Sequence, residues 1–303
     1  MKVLIAFFLA IAVFGAGGYF TYKIYIEPKE KLQHEKQLPP PPPPPDPTVP
    51  DFEKCVELQQ NAKLIEARAA FTDFIERYPE STKIDDAKYR AGQINSYIFL
   101  SSYPAPEKLT YVVQKNDVIT RVAAKMRTTP EMILKANDLH GIMLRIGQKL
   151  MVSPGDFSVL IDRKNQKVVL LNNGKFFKQY PFIGTSGQHA PKIGASAPKK
   201  GAPTPRPPKL IGKVVEKIAW RSGQRVTPFD KDKGEAYADA DHWIVISPGG
   251  HSLYTDHETT DAPPPKTDTT QPSKPPGGGY GLAPDAMQEL AAMLNKNTPV
   301  TID

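Results

Sequence analysis

The sequence predicts a multidomain α+β protein: an N-terminal transmembrane helix, a helical hairpin, a small βααβ module, and a mainly-β domain with one late helix. Three observations predict it. Residues 3–22 run without a charge, residues 51–100 repeat apolar side chains every three to four positions, and from Phe157 the repeat shortens to two. Those spacings belong to a helix face and to a strand face respectively. At 303 residues the chain has room for two or three modest domains. Its 32 prolines cluster in linkers and loops, so the folded parts are smaller than the length suggests. The formal net charge of +7 favours anionic partners. No basic helix or aromatic-interleaved motif accompanies that charge, so nucleic acid is not expected as a partner. The single cysteine, Cys55, excludes an internal disulfide framework and a CxxC zinc site.

The N-terminal run "VLIAFFLAIAVFGAGGYFTY", Val3 to Tyr22, is bracketed by Lys2 and Lys23. At about 1.5 Å per residue it reaches roughly 30 Å, the thickness of a bilayer's apolar core. Residues 1–25 therefore read as a transmembrane anchor in the cytoplasmic membrane. The alternative is a cleaved signal peptide, with Ala16 and Gly18 near a small-residue site. The length of the run favours the anchor. Lys23, Lys29 and Lys31 outnumber Lys2, which by the positive-inside rule points the wrong way for an exported body. Residues 26–50 form a linker whose seven consecutive prolines, 39–45, would hold the next domain roughly 20 Å away as a stiff left-handed spacer.

In residues 51–103, Leu64, Ala67, Phe71, Phe74 and Tyr78 line one helix face, and Pro79 stops it. Ile84, Ala87, Ala91, Ile94 and Ile98 repeat the pattern. The stretch resembles tetratricopeptide helices of envelope proteins but covers little more than one repeat, whereas a stack needs at least three. It reads as a packing hairpin or as a docking piece for an envelope protein partner. Cys55 reads as a small buried hydrophobe, since no cationic cluster stands near it in the sequence.

Residues 109–154 open with the short β-run Tyr111–Val113 and pass through a polar turn to a helix around Ile119–Lys125. Thr129 then caps a second helix with Pro130 at its first position and Glu131 in its first turn. Asn137 ends that helix, and after "LRIGQKL" a strand Leu150–Val152 closes the module. This order and these landmarks resemble a LysM domain, with Asn116 where that family usually has glycine. The resemblance implies binding of peptidoglycan, through its N-acetylglucosamine-containing glycan, in a shallow groove between residues 115–120 and 138–146. The residues expected to hold it are Asn116, Asp117, Val118, Ile119, Asn137, Leu144, Arg145 and Ile146. Ala123, Ile133 and Leu134 read as core. Peptidoglycan lies outside the cytoplasmic membrane, so the resemblance outweighs the lysine count and places residues 26–303 in the extracytoplasmic bacterial envelope.

Residues 157–303 begin with strands turned at "RKNQ" and at Asn173–Gly174, followed by a basic Pro/Gly/Lys-rich loop over 185–210. "IGKVVEKIAW" and "HWIVIS" add strands, 261–276 is a second loose insertion, and Asp285 to Leu294 forms an amphipathic helix before a last strand, "TPVTID". The succession of "VLIDRKNQKVVLLNNGK", "YPFIGTSG", "GKVVEKIAW…HWIVIS", "GLAPDAMQEL" and "NTPVTI" resembles the L,D-transpeptidase catalytic domain.

That family crosslinks stem peptides through a cysteine acyl-enzyme, which needs a thiolate and a histidine to take its proton. Carried onto this sequence, Tyr254 stands at the histidine position and Gly279 at the cysteine position, in a glycine-rich turn. Both groups are missing, so no catalytic pair is assigned. Ser247 and Ser252 flank His251, with Asp256 and His257 nearby, but no Gly-x-Ser-x-Gly elbow frames them. His242, His251, Asp256 and His257 match no standard metal-ligand spacing, so no metal and no cofactor are expected. The resemblance thus implies a non-catalytic wall-binding scaffold; the alternative is a divergent L,D-transpeptidase or other peptidoglycan-modifying enzyme using Tyr254, Ser252 or His251.

Overall fold

The computed structural model describes residues 46–187, 209–221, 224–227, 240–257 and 278–303, together with residues 15, 17–27, 29, 229 and 237. The chain divides into two units, 1–47 and 48–303. In the first, Tyr22–Ile26 is a short π-helix, and the Thr21 hydroxyl donates to the Gly17 carbonyl at 2.8 Å. Here the expected transmembrane helix must be corrected. Among the described residues no helix is long and apolar enough to cross a membrane. The described part of the expected span holds Gly15, Gly17 and Gly18 and runs into Lys23 and Glu27, which shortens any apolar stretch. Residues 1–14 of that span, and residues 31–45 with their prolines, lie outside the described residues.

In the second unit the expected helical hairpin is a layer of three helices: α1 (Val49–Gln60), α2 (Leu64–Arg77) and α3 (Ile84–Leu100). Pro50 enters α1 in its first turn beside Asp51, a favourable pairing with the helix N-terminus. Asp85 and Asp86 play the same electrostatic part in α3. Phe52 of α1 meets Phe71 and Phe74 of α2 at ring distances of 6.1 and 5.7 Å. Cys55 is buried beside them, its thiol donating to the Asp51 carbonyl at 3.3 Å. Burial pushes its pKa above the usual thiol value, so it is an unreactive core residue.

The LysM-like module pairs β1 (Leu109–Val112) with β2 (Lys149–Val152) antiparallel, and α4 (Ile119–Lys125) and α5 (Pro130–Ala136) lie between them in sequence. Its core is Val113, Ile119, Val122, Ala123, Ile133, Leu150 and Val152. Met132, on α5, instead belongs to the main core.

The remaining strands are β3 (Phe157–Asp162), β4 (Lys167–Asn172), β5 (Lys175–Pro181), β6 (Gly184–Gly187), β7 (Leu210–Arg221), β8 (Gln224–Val226), β9 (Asp241–Ser247), β10 (His251–Thr255), β11 (Gly278–Leu282) and β12 (Pro299–Ile302), with α6 (Pro284–Met293) before the last. They form one sheet in the order β5-β4-β3-β12-β7-β9-β10-β11-β6, with β8 on β7. The tight turn expected at Asn173–Gly174 is present, both residues having positive φ as a two-residue hairpin loop requires. Two differences concern the glycines. Gly184–Gly187 is a strand where the basic loop was expected to begin, and "GGYGL" is a strand parallel to β10 rather than a turn. Pairing explains both: β6 and β11 hydrogen-bond to each other, with Gly279 opposite Ser186. Residues 188–208 and 258–277, including most of the two expected insertions, lie outside the described residues.

β5 and β6 stand at opposite ends of the strand order, yet only Phe182 and Ile183 separate them in the chain. The three Cα steps from Pro181 to Gly184 span at most about 11 Å, so the sheet curls enough to bring the end of β5 near the start of β6. One core runs through the helical layer and the sheet. The Asn95 amide of α3, buried, donates to the Phe177 carbonyl of β5 at 2.7 Å, and Phe99, Phe157 and Phe177 pack edge to face beside it.

Candidate functional sites: a polar turn and a glycine-rich strand pair

The turn between β1 and α4 is shaped by Asn116 and Asp117. Asn116 adopts φ +70°, a left-handed conformation that asparagine tolerates better than most residues, which accounts for its standing where glycine is usual. The Asp117 carboxylate accepts from the Gln114 amide and from the Tyr111 hydroxyl, both at 2.7 Å, and these bonds lower its pKa. Val118 is 49% exposed, but Ile119 is 2% exposed and supports the turn from beneath.

Across from it, Gly147 turns the chain at φ +82° into β2. An open depression of about 670 Å³ is lined there by Leu139, His140, Met143, Arg145, Ile146 and Gln148 among others. Met143 and Ile146 are 75% and 73% exposed, an apolar surface suited to the face of a sugar ring. Leu144 is half-buried on the module's core. Asn137 is engaged elsewhere: its side-chain amide donates to the Ile133 and Met151 carbonyls and accepts from the Met151 amide. It ties α5 to β2. Met143 and His140 were missed as individual residues, though both fall inside the loop 138–146 that the sequence marked.

The second region lies on β10 and β11. Tyr254 pairs with Trp243 on β9 and with Gly281 on β11, two residues beyond Gly279. Tyr254 is 0% exposed. The decisive contact is at Gly279, where a Cβ built on the backbone would fall 2.1 Å from the Ser252 carbonyl oxygen. That oxygen belongs to a paired strand and has little freedom to give way. The glycine-rich strand therefore lets β11 approach β10 too closely for any side chain at this position, cysteine included.

Asp256 is buried at the end of β10, its amide donating to the Leu282 carbonyl at 2.9 Å. A Cβ at either Gly184 or Gly281 would meet its carboxylate at 2.5 Å, so those two glycines make room for it. The Tyr280 hydroxyl reaches His251 Nδ1 at 3.5 Å, its ring stacks on Phe182 at 4.9 Å, and burial raises its pKa. Ser252 is 5% exposed. His257 pairs with Asp241 at 2.7 Å on a different strand end. Among the described residues no group of three or more His, Cys, Asp or Glu is placed to hold a metal ion.

A third cluster, unmarked in the sequence, joins the module to the sheet. Lys217 of β7 donates to Glu131 of α5 and to the Ala291 carbonyl of α6, both at 2.8 Å, and Tyr237 reaches the same carboxylate at 3.3 Å. The Thr129 hydroxyl accepts from the Met132 amide, as a helix cap should, and donates to the Ala292 carbonyl. His242 is 2% exposed nearby, edge-on to Tyr237 at 4.9 Å. Its Nε2 has no hydrogen-bond partner among the described residues. Burial, with Lys217 and Lys135 close by, pushes its pKa down to about 4, so it is neutral near pH 7.

A family model for the LysM domain matches residues 111–153. No curated protein matches the chain. Among solved structures the chain is similar to an L,D-transpeptidase from Mycobacterium smegmatis, at 11% identity and a TM-score of 0.27, covering 52% of this chain and 64% of that one. It is also similar to a mutant L,D-transpeptidase from Enterococcus faecium (18% identity, TM-score 0.26, 54% and 56% covered) and to an L,D-transpeptidase from Stackebrandtia nassauensis (17%, 0.25, 49% and 55%). The chain spans less than two thirds of the length of each of these three. Residues 111–153 are a LysM domain, carried in one chain with a sheet whose sequence landmarks resemble the L,D-transpeptidase catalytic domain.

Proposed function

We propose that the protein is a non-catalytic peptidoglycan-binding scaffold of the bacterial cell wall. It holds N-acetylglucosamine-containing glycan on the LysM domain, between the turn at Asn116–Val118 and the depression bearing Arg145 and Ile146. The transpeptidase-like sheet serves as a rigid body attached to that grip. The observation that carries the non-catalytic part is the 2.1 Å approach at Gly279, which leaves no room for a nucleophilic side chain. Cys55, the only sulfur nucleophile in the sequence, is buried in α1 with a raised pKa. In one well-characterised triad, removing the nucleophile costs on the order of a million-fold in turnover. The alternative, a divergent peptidoglycan-modifying enzyme built on Tyr254, Ser252 or His251, finds no support in their burial, since none of the three is more than 7% exposed.

The test has two arms. Retention on insoluble peptidoglycan is expected, and Ile146→Asp combined with Arg145→Glu should reduce it roughly tenfold, as expected for loss of a few apolar and charged contacts. Incubation with purified muropeptides is expected to leave them unchanged. Crosslinked or trimmed products that disappear in Tyr254→Phe or His251→Ala would transfer the assignment to the enzyme.

A further inference from the structure

The joint between the LysM domain and the sheet encloses a histidine, His242 of β9. It stands directly across from Ala219 of β7, so it shares a sheet face with Lys217, two residues along that strand. Its backbone amide donates to the Thr255 hydroxyl of β10 at 2.9 Å, and its ring is buried edge-on to Tyr237. The ring Nε2 is enclosed without a hydrogen-bond partner among the described residues. The charged groups around it are unbalanced. Lys217 of β7 and Lys135 of α5 both oppose a positive charge on the ring. The carboxylate of this cluster, Glu131 of α5, is already shared by Lys217 at 2.8 Å and the Tyr237 hydroxyl at 3.3 Å. Glu289 of α6 is held by Lys178, and Asp241, next to His242 on β9, is held by His257 at 2.7 Å.

A neutral ring suits this place and a cationic one does not. A proton on Nε2 creates a buried N–H with no acceptor beside it, and it sets a second cation next to Lys217 in competition for one carboxylate. Lys217 is also the residue that ties β7 of the sheet to α5 of the LysM domain. We propose that His242 is a proton-operated release for the LysM domain: charging the ring displaces Lys217 from Glu131 and loosens the domain against the sheet. The direction follows from burial. A loosened joint gives the ring water and binds the proton better than the closed joint, so acidification favours the loosened form. Between the ordinary value of 6.5 and the folded value of about 4, the ratio of loosened to closed joint rises by up to about tenfold per pH unit. The release is separate from the glycan-binding proposal and does not depend on it.

Spin labels on the full chain test it, at Ala124→Cys in α4 of the LysM domain and at Lys164→Cys in the β3–β4 turn, both exposed positions. Cys55 is buried and stays unlabelled. One narrow distance across the joint is expected at pH 7, and a second, broader population should grow as the pH falls from 6.5 towards 4. A pair within the sheet, Lys164→Cys with Lys175→Cys, should keep its distance, which separates release from unfolding. In the unsubstituted ring, an NMR titration of His242 should follow the same midpoint as the distance change. His242→Gln should remove the change, whereas His257→Gln should leave it in place. The proposal is overturned by a single distance persisting to pH 4, or by a change that survives His242→Gln or disappears in His257→Gln. A His242 ring that titrates while the distance stays fixed overturns it as well, and that measurement needs no variant at the histidine.

Discussion

Two residues concentrate the chemical argument, and both owe their behaviour to what lies across a strand from them. At Gly279 the constraint lies in the backbone, where the Ser252 carbonyl oxygen stands in the space a side chain would need. Gly279→Cys is therefore expected to leave muropeptides unlinked and to destabilise the fold by about 3 kcal/mol, a size associated with overpacking against main chain. Equilibrium urea unfolding of this variant checks it, and a stable, crosslinking Gly279→Cys protein would refute it. The sequence showed glycine at position 279. It could not show that a side chain there is obstructed, because the obstructing oxygen of Ser252 comes from a strand 27 positions earlier in the chain. His242 makes a second residue-scale prediction. Its folded pKa of about 4 lies below the ordinary 6.5, so between those values the unfolded chain binds more protons and acidification favours unfolding. The shift corresponds to roughly 3 kcal/mol lost between pH 6.5 and pH 4. His242→Gln should flatten stability across that window when denaturant midpoints are compared. The carboxylates with lowered pKa, such as Asp51, Asp117 and Asp162, titrate below it, their starting value being 3.8.

Helix α5 shows how much of an element is legible and where legibility stops. Thr129, Pro130 and Glu131 read in sequence as a cap, a first-turn proline and a first-turn acid, and the cap is made by Thr129 as read. The long-range half of each role was not legible, because Glu131 and Lys217 stand 86 residues apart and nothing local signals their pairing. With side-chain exposures of 20% for Lys217 and 9% for Glu131, the pair is largely withdrawn from water. Removing one partner leaves an uncompensated charge, and Lys217→Met is expected to cost about 3 kcal/mol in urea unfolding. Adding Glu131→Gln should recover part of that loss, because the stranded carboxylate is removed with its partner. A purely additive double variant would mean that the two groups do not interact. Similar reasoning explains β6 and β11. Glycine-rich stretches read as turns from composition, but here their lack of side chains lets strands approach closely and makes room for Asp256.

For residues 48–303 as a whole, the sequence suggested three modules in a row: the helices to Leu100 and the strands from Phe157 were recognisable from their periodicity, and the module matched at 111–153 from its resemblance to a LysM domain. The joints between them were not recognisable, since they rest on Met132 in the main core, on Asn95 reaching Phe177, and on Ser153 bonding the Phe99 carbonyl at 3.3 Å. Shared burial of this kind couples unfolding. Calorimetry of the full chain should show one transition for this region, with calorimetric and van't Hoff enthalpies in agreement, and two or more resolved transitions would contradict it. The clamp formed by Thr129, Glu131, Lys217 and Ala292 has a mechanical consequence. Under the proposed glycan binding, a sugar strand held by the small module would not swivel about a tether: its heading would be set by the body behind it, and tension along it would fall on buried charge and main chain rather than on a slack hinge.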